Sequence, residues 1–370
     1  MKIVILGTAY PFRGGIASFN ERMAQELISI GHEVVIYTFT FQYPGFLFPG
    51  KTQFSDSVAP EGLRIIRYLN SVNPFSWILT GLKIRKEKPE LIIAKFWLPF
   101  MGPALGTAIR LAKTKKTKAV SVIDNIIPHE KRPGDFIFSK YFAGSIDKFV
   151  VMSSSVLEDM KKFTIKKPVV LAPHPVYDNY GEIISKELAC KNLKLDPKKK
   201  YIMFFGFIRD YKGLDLLLHA INDKYFRKND IKCIVAGEYY GNEEKYNTLI
   251  NELNIRDLLI LKTDYIPDNE VKYYFCASEL IVQPYKTATQ SGISQLAYHF
   301  EKPMVVTDVG GLAEIVENGK AGYVVLPDPE KIKDAIIEFF EKDNRSYFSD
   351  NLKKRKIEFS WRSFVMNILN

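Results

Sequence analysis

Arg209 and Lys212 stand three residues apart between two glycines, Gly206 and Gly213. The run before them, Tyr201–Phe205, is wholly apolar or aromatic, and Leu214-Asp215-Leu216-Leu217-Leu218 after them reads as a helix. That order describes a buried strand, a tight turn and a helix start flanked by two cations. Backbone N–H groups at a helix N-terminus attract anions, and two full positive charges beside them add to the attraction. A phosphate or diphosphate is the natural guest. Solvated bases on an ordinary strand-to-helix turn carry the same local signature, so the rest of the chain must decide.

Three further groups have comparable chemistry. Gly14 and Gly15 precede a helical pattern after the first apolar run, where paired glycines let a ligand approach the backbone. Their spacing is not Gly-x-Gly-x-x-Gly, so no dinucleotide fingerprint is present. Asp124, His129 and Glu130 cluster after another apolar run, a combination that positions hydroxyl groups or moves protons. Gln283 to Ile293 carries Thr287, Thr289, Gln290, Ser291 and Gly292 at a helix start, more small polar residues than capping alone requires.

The elements that must hold these residues alternate in type. Strands are expected at Lys2–Leu6, Glu33–Tyr37, Leu63–Tyr68, Leu91–Ala94, Ala119–Ile123, Lys148–Met152 and Val169–Leu171, with helical patterns between them. Ala172-Pro173-His174-Pro175-Val176 and the polar stretch to Lys200 read as an interdomain linker. Alternation then resumes with strands at Tyr201–Phe205, Lys232–Ala236, Leu258–Leu261, Leu280–Gln283, Pro303–Thr307 and Tyr323–Val325. A final helix near Trp361–Leu369 aligns Trp361, Phe364, Val365 and Ile368. The expected class is α/β, two doubly wound parallel sheets joined by a hinge, with ligands at the carboxyl ends of the strands.

Composition is that of an ordinary globular protein: 370 residues, 46% hydrophobic and 25% charged. Cys190, Cys233 and Cys276 are scattered with no metal or disulfide spacing, which suits a reducing compartment. Lys2–Gly7 reads as a strand rather than a secretory signal. Leu91–Ile109 is long and apolar, yet Lys95, Pro99 and Pro103 argue for strand, loop and helix instead of a membrane span. The net charge of +10 is grouped at Lys83–Lys88, Lys113–Lys118 and Lys161–Lys167. Such groups suit an anionic membrane surface, with the aromatic segment Phe39–Phe48 as a loop brushing the bilayer. Nucleic acid is not expected as a partner.

Taken in order, Gly14-Gly15, the Gly206–Gly213 run, Gln283–Gly292, Lys302–Thr307 and Asp308-Val309-Gly310-Gly311-Leu312-Ala313-Glu314-Ile315-Val316 resemble glycosyltransferase family 4 over nearly the whole chain. The resemblance implies a GT-B fold, two Rossmann-like domains facing a central cleft. Residues 1–175 would form the acceptor-side domain and 176–357 the donor domain, with a helix at 358–370 packing back on the first. It implies a retaining, metal-independent transfer from a UDP- or GDP-sugar to a saccharide or lipid-linked acceptor of cell-surface glycans. The enzyme would be cytoplasmic, and the basic clusters with the aromatic segment are what point to peripheral contact with the inner face of the membrane. Arg209 and Lys212 would hold the diphosphate and stabilise it as it leaves. Gly14, Gly15, Gly206, Glu238, Tyr265, Ile266, Thr289, Gln290, Ser291 and Gly292 would complete the donor site, and His129 or Asp124 would lie near the transferred sugar. No metal or other cofactor is implied, and the chain contains no Asp-x-Asp.

Two departures mark a divergent branch. The family's paired glutamates become Ala288 and Leu296, leaving Gln295 as the nearest polar substitute for the ribose-gripping one. The family's histidine after the fifth strand is replaced by Asp124, with His129 five residues later. Two other functions share the fold. A non-hydrolysing sugar-nucleotide epimerase would use Glu238 or Asp124 as acid/base groups, and a degenerate member would be a non-catalytic binding scaffold.

Overall fold

The computed structural model describes residues 1–45, 52–55, 58–128, 132–163, 166–288 and 291–370. They form two compact units: residues 1–175 with 360–370, and residues 176–359. Each is built on one parallel sheet.

The first sheet contains β1 (Lys2–Leu6), β2 (Glu33–Phe41), β3 (Arg64–Asn70), β4 (Leu91–Phe96), β5 (Lys118–Ile123), β6 (Lys148–Val151) and β7 (Val169–Leu171). Their order is β3-β2-β1-β4-β5-β6-β7. The second sheet contains β8 (Lys200–Phe205), β9 (Ile231–Ala236), β10 (Leu259–Lys262), β11 (Leu280–Gln283), β12 (Met304–Thr307) and β13 (Gly322–Val325), in the order β10-β9-β8-β11-β12-β13. In both sheets the chain winds outward one way and then the other. The reversals fall between β1 and β4 and between β8 and β11, where doubly wound sheets open a crevice for ligands. Helices cover the sheets, so the central strands are largely apolar: Ile3 to Leu6 and Ile92 to Ala94 are all fully buried.

Two expectations need correction. β2 continues to Phe41, four residues past Tyr37. Phe39 is therefore core, set edge-on to Phe12 and Trp97 at 6.3 and 6.4 Å, and not the start of a bilayer-facing loop. Residues 46–48 of that aromatic segment lie outside the described residues. The stretch from 176 to 200 is no mere linker, because it contains the helix Lys186–Leu193 and belongs to the second unit. Ser185 caps that helix by accepting the Leu188 N–H, and Lys186 pairs with the buried Glu279 at 2.5 Å. A helix of eight residues burying only Ala189 and Cys190 leaves too short a period to read.

The chain returns to the first unit through the helix Trp361–Leu369. Its N-cap is Ser360, whose side chain accepts the Ser363 N–H. Trp361 and Phe364 pack edge-on against Phe19 of the helix Gly15–Ser29, with ring centroids 4.9 and 5.5 Å away. Lys148 donates to the Asn367 carbonyl at 2.7 Å. Trp361→Ala removes the largest side chain of this contact and is expected to cost about 3–5 kcal/mol. Urea unfolding followed on the first unit checks this, and an unchanged midpoint would show that the terminal helix adds little to that unit.

Candidate functional site

In the second unit the loop after β8 carries Gly206, Arg209 and a 3-10 turn, Asp210–Lys212, before the helix Leu214–Ala220. Gly213 has φ 66°, and a Cβ there would fall 1.9 Å from the Pro284 carbonyl oxygen. Only glycine therefore lets this loop lie against the loop after β11, across the strand-order reversal. Lys212 reaches back over Gly206, so that a Cβ on Gly206 would meet its Nζ at 3.0 Å and Ile293 Cδ1 at 3.4 Å. The Arg209 guanidinium stacks 3.8 Å from the Tyr240 ring centroid.

The aspartates of this loop and its helix are paired with lysines. Asp210 pairs with Lys245 and, at 3.4 Å, with Lys286, while Asp215 takes Lys286 at 2.8 Å. Among the described residues neither Arg209 nor Lys212 has a carboxylate partner. Burial, reinforced by the neighbouring Arg209 charge, pushes the Lys212 ammonium down to about 7. Two cations held together without a carboxylate partner have the charge that attracts an anion.

The other candidates in this unit divide into neighbours of that pair and residues apart from it. Ser291 is buried, caps the helix Gly292–His299 through the Ile293 N–H, and lies 3.3 Å from the Tyr285 hydroxyl. Gly292 faces Tyr177, where a Cβ would meet the ring at 2.8 Å, so packing explains its identity. Glu238 is buried, and its carbonyl accepts the Ile208 N–H at 2.9 Å, which joins the loop after β9 to the Arg209 loop. Tyr265 and Ile266 follow β10, two strands away from β8; the Tyr265 hydroxyl donates to Asp268 at 3.2 Å. Gln295 is fully buried and neither amide atom has a hydrogen-bond partner among the described residues. Thr289 and Gln290 lie outside the described residues.

In the first unit the loop after β1 is pinned by the helix Gly15–Ser29: Asn20 donates to the Thr8 carbonyl at 2.8 Å and Glu21 accepts the Tyr10 N–H at 2.6 Å. Gly14 has φ 100° with open space where a Cβ would stand, and Gly15 begins the helix. Asp124, just past β5, accepts from Lys95 at 2.7 Å. Lys95 is 2% exposed, on β4, with its Nζ 3.4 Å from the centroid of the Phe19 ring. Burial pushes the Lys95 ammonium down and Asp124 pulls it back up. Phe19 also packs against His174, whose Nδ1 lies 2.7 Å from the Pro175 carbonyl and whose proton affinity burial and the Lys95 charge lower to about 3. His174 is therefore neutral. His129 and Glu130 lie outside the described residues.

Comparison with known proteins gives this geometry its context. Residues 13–179 match the family described as Glycosyltransferase Family 4, and residues 185–355 match Glycosyl transferases group 1. The chain belongs to glycosyltransferase family 4. It is 23% identical to an uncharacterized glycosyltransferase of Methanocaldococcus jannaschii, covering 100% of this chain and 97% of that one. The putative teichuronic acid biosynthesis glycosyltransferase TuaC of Bacillus subtilis is 25% identical, over 88% of this chain and 85% of the relative. The structure of Anabaena HepE in complex with UDP superposes with a TM-score of 0.73 at 13% identity, covering 100% and 99% of the two chains. The fold is GT-B.

Lys95 is a buried charge, beside the candidate residue Asp124, that the motifs miss. Its signal was a single charge inside the apolar run Leu91–Leu98, which served only to argue against a membrane span. For this family member the Lys95–Asp124 pair predicts a coupled response. Asp124→Ala strands a buried charge and is expected to cost about 3–5 kcal/mol of stability, most of it recovered when Lys95→Met is added. Chemical denaturation of the two single variants and the double variant measures this. Full stability of Asp124→Ala together with lost transfer would instead give Asp124 a chemical role alone.

Proposed function

We propose that this glycosyltransferase moves a hexose from a UDP- or GDP-sugar to a saccharide or lipid-linked acceptor of cell-surface glycan synthesis, on the cytoplasmic side of the membrane. Retention of anomeric configuration and independence from metal are part of the proposal. The observation that carries it is the pair Arg209 and Lys212, without carboxylate partners among the described residues, at the crevice between β8 and β11. HepE's complex with UDP and the family's link to TuaC support the donor class and the glycan context.

In this reading Arg209 and Lys212 bind the diphosphate. The bond from the sugar's anomeric carbon to the β-phosphate oxygen breaks, and the acceptor oxygen bonds to that carbon on the same face. The acceptor's proton passes to the leaving phosphate, whose growing charge the two cations stabilise. Tyr265 and Ile266 flank the base, Gly206 lets the phosphates approach, and Ser291, Thr289 and Gln290 serve the sugar and phosphate oxygens. Gln295 stands in for the ribose-binding glutamate. Gly14 and Gly15 are assigned to the phosphates or the acceptor, and Asp124 or His129 to the transferred sugar or the acceptor.

Calorimetry with UDP, GDP and ADP tests the donor class. One nucleotide is expected to bind, and Arg209→Ala is expected to lower kcat/KM by an amount equivalent to about 2–4 kcal/mol. Near-normal turnover in that variant would remove the phosphate assignment. The depressed proton affinity of Lys212 supplies an independent sign. Above about pH 7 its amine is largely neutral in the free protein, and a bound diphosphate favours the charged form. Nucleotide binding in mildly alkaline buffer should therefore take up a proton, and affinity should fall as pH rises through that range. Calorimetry in buffers of differing ionisation enthalpy detects the uptake, which Lys212→Met should abolish.

A further inference from the structure

The helix Pro74–Lys86 is apolar on two opposite faces. Inward it buries Thr80, Gly81 and Ile84. Gly81 sits so close to the helix Gly102–Ala112 that a Cβ would meet the Ala108 carbonyl oxygen at 2.7 Å. Outward it exposes Phe75 at 76%, Ile78 at 42%, Leu79 at 53% and Leu82 at 43%. That spacing is one stripe along a helix, and it runs on into the exposed Arg85 and Lys86. The helix contains no Asp or Glu.

On its other side Gly102–Ala112 touches the helix Asp135–Ser145, where a Cβ on Gly106 would meet the Tyr141 ring at 3.0 Å. This third helix exposes Phe136 at 54% and Ile137 at 68%, with Lys140 exposed beside them. Among the described residues Arg85, Lys86 and Lys140 make no ion pair, and neither do the exposed Lys115 and Lys116 that follow the middle helix. A helix apolar all round is normally covered all round, so the outer stripe implies an occupant.

We propose that this three-helix face of the first unit docks on an anionic lipid surface, with Phe75, Ile78, Leu79 and Leu82 entering the headgroup region and Arg85, Lys86 and Lys140 meeting its phosphates. The charge pattern selects a bilayer over a second copy of the chain. A two-fold pair built on this patch would bring to it a second copy of the same helix, which has no Asp or Glu to answer Arg85 and Lys86. An anionic headgroup layer takes the apolar stripe and the bases together. The proposal stands on this surface and does not rest on the donor chemistry.

Sedimentation of the full chain with vesicles of phosphatidylcholine, alone or mixed with phosphatidylglycerol, is the test. Recovery is expected with the anionic vesicles, little with the neutral ones, and release by added salt. Arg85→Ala with Lys86→Ala should weaken recovery about 30-fold, and Phe75→Ser with Leu79→Ser by about tenfold or more. All four side chains are exposed or at the surface, so thermal unfolding should be unchanged in both variants. Equal recovery with both lipids, wild-type recovery of both variants, or no recovery at all would overturn the proposal. So would a dimer in sedimentation equilibrium that Phe75→Ser with Leu79→Ser dissolves. Nucleotide binding by the same variants is read on the calorimeter, so failure of the donor reading and failure of this one are separate results.

Discussion

Two cations held side by side without a counter-ion repel each other and lose hydration, so the surrounding packing must offset the cost. Much of the second unit's local structure follows from holding Arg209 and Lys212 that way. Gly213 has to be glycine because the loop after β8 lies against the Pro284 carbonyl. Tyr240 gives the Arg209 guanidinium an aromatic face in place of an acid. The two nearest aspartates, Asp210 and Asp215, are turned to Lys245 and Lys286. A carboxylate left free among these groups would answer the pair with an internal salt bridge.

The first unit resolves a similar problem in the opposite way. Lys95 is a buried cation near the carboxyl edge of its sheet, and Asp124 neutralises it at 2.7 Å. The contrast is informative because both positions lie past or near strand ends in doubly wound sheets. Where the charge is answered internally, the site is set for geometry. Where it is left unanswered, as in the reading proposed for Arg209 and Lys212, an anion from outside would complete it. The same logic bears on the replacement of the family's histidine by Asp124. An aspartate there is the counter-ion that the buried Lys95 on β4 requires.

The strands were legible because a parallel sheet covered on both faces writes itself as short, wholly apolar runs. Ile3–Leu6, Tyr201–Phe204 and Leu280–Val282 are such runs, and each is buried. The Gly206–Gly213 run stood out because glycines and bases are rare next to such runs. What stayed hidden depends on partners distant in sequence. Nothing local tells that Phe39 turns inward against Trp97, that Gly292 answers to Tyr177, or that Lys95 finds Asp124. The helix Lys186–Leu193 escaped for a different reason. Its buried face is only Ala189 and Cys190, too small to stand out from a polar stretch.

The outer helices of the first unit show how a pattern can be misread when only one face is considered. Pro74–Lys86 has an apolar residue at almost every turn on both sides, which in sequence looks like an unremarkable core helix. Its neighbour Gly102–Ala112 is lined by Gly102, Ala104, Gly106 and Ala108, small residues that let the flanking helices approach closely. That close approach satisfies the inner face completely. The outer face is then surplus to the packing of this unit, and burial within the first unit cannot account for Phe75 or Leu79. Selection for solubility alone would have placed polar residues there, so the stripe and the cations at its end require a reason outside the fold.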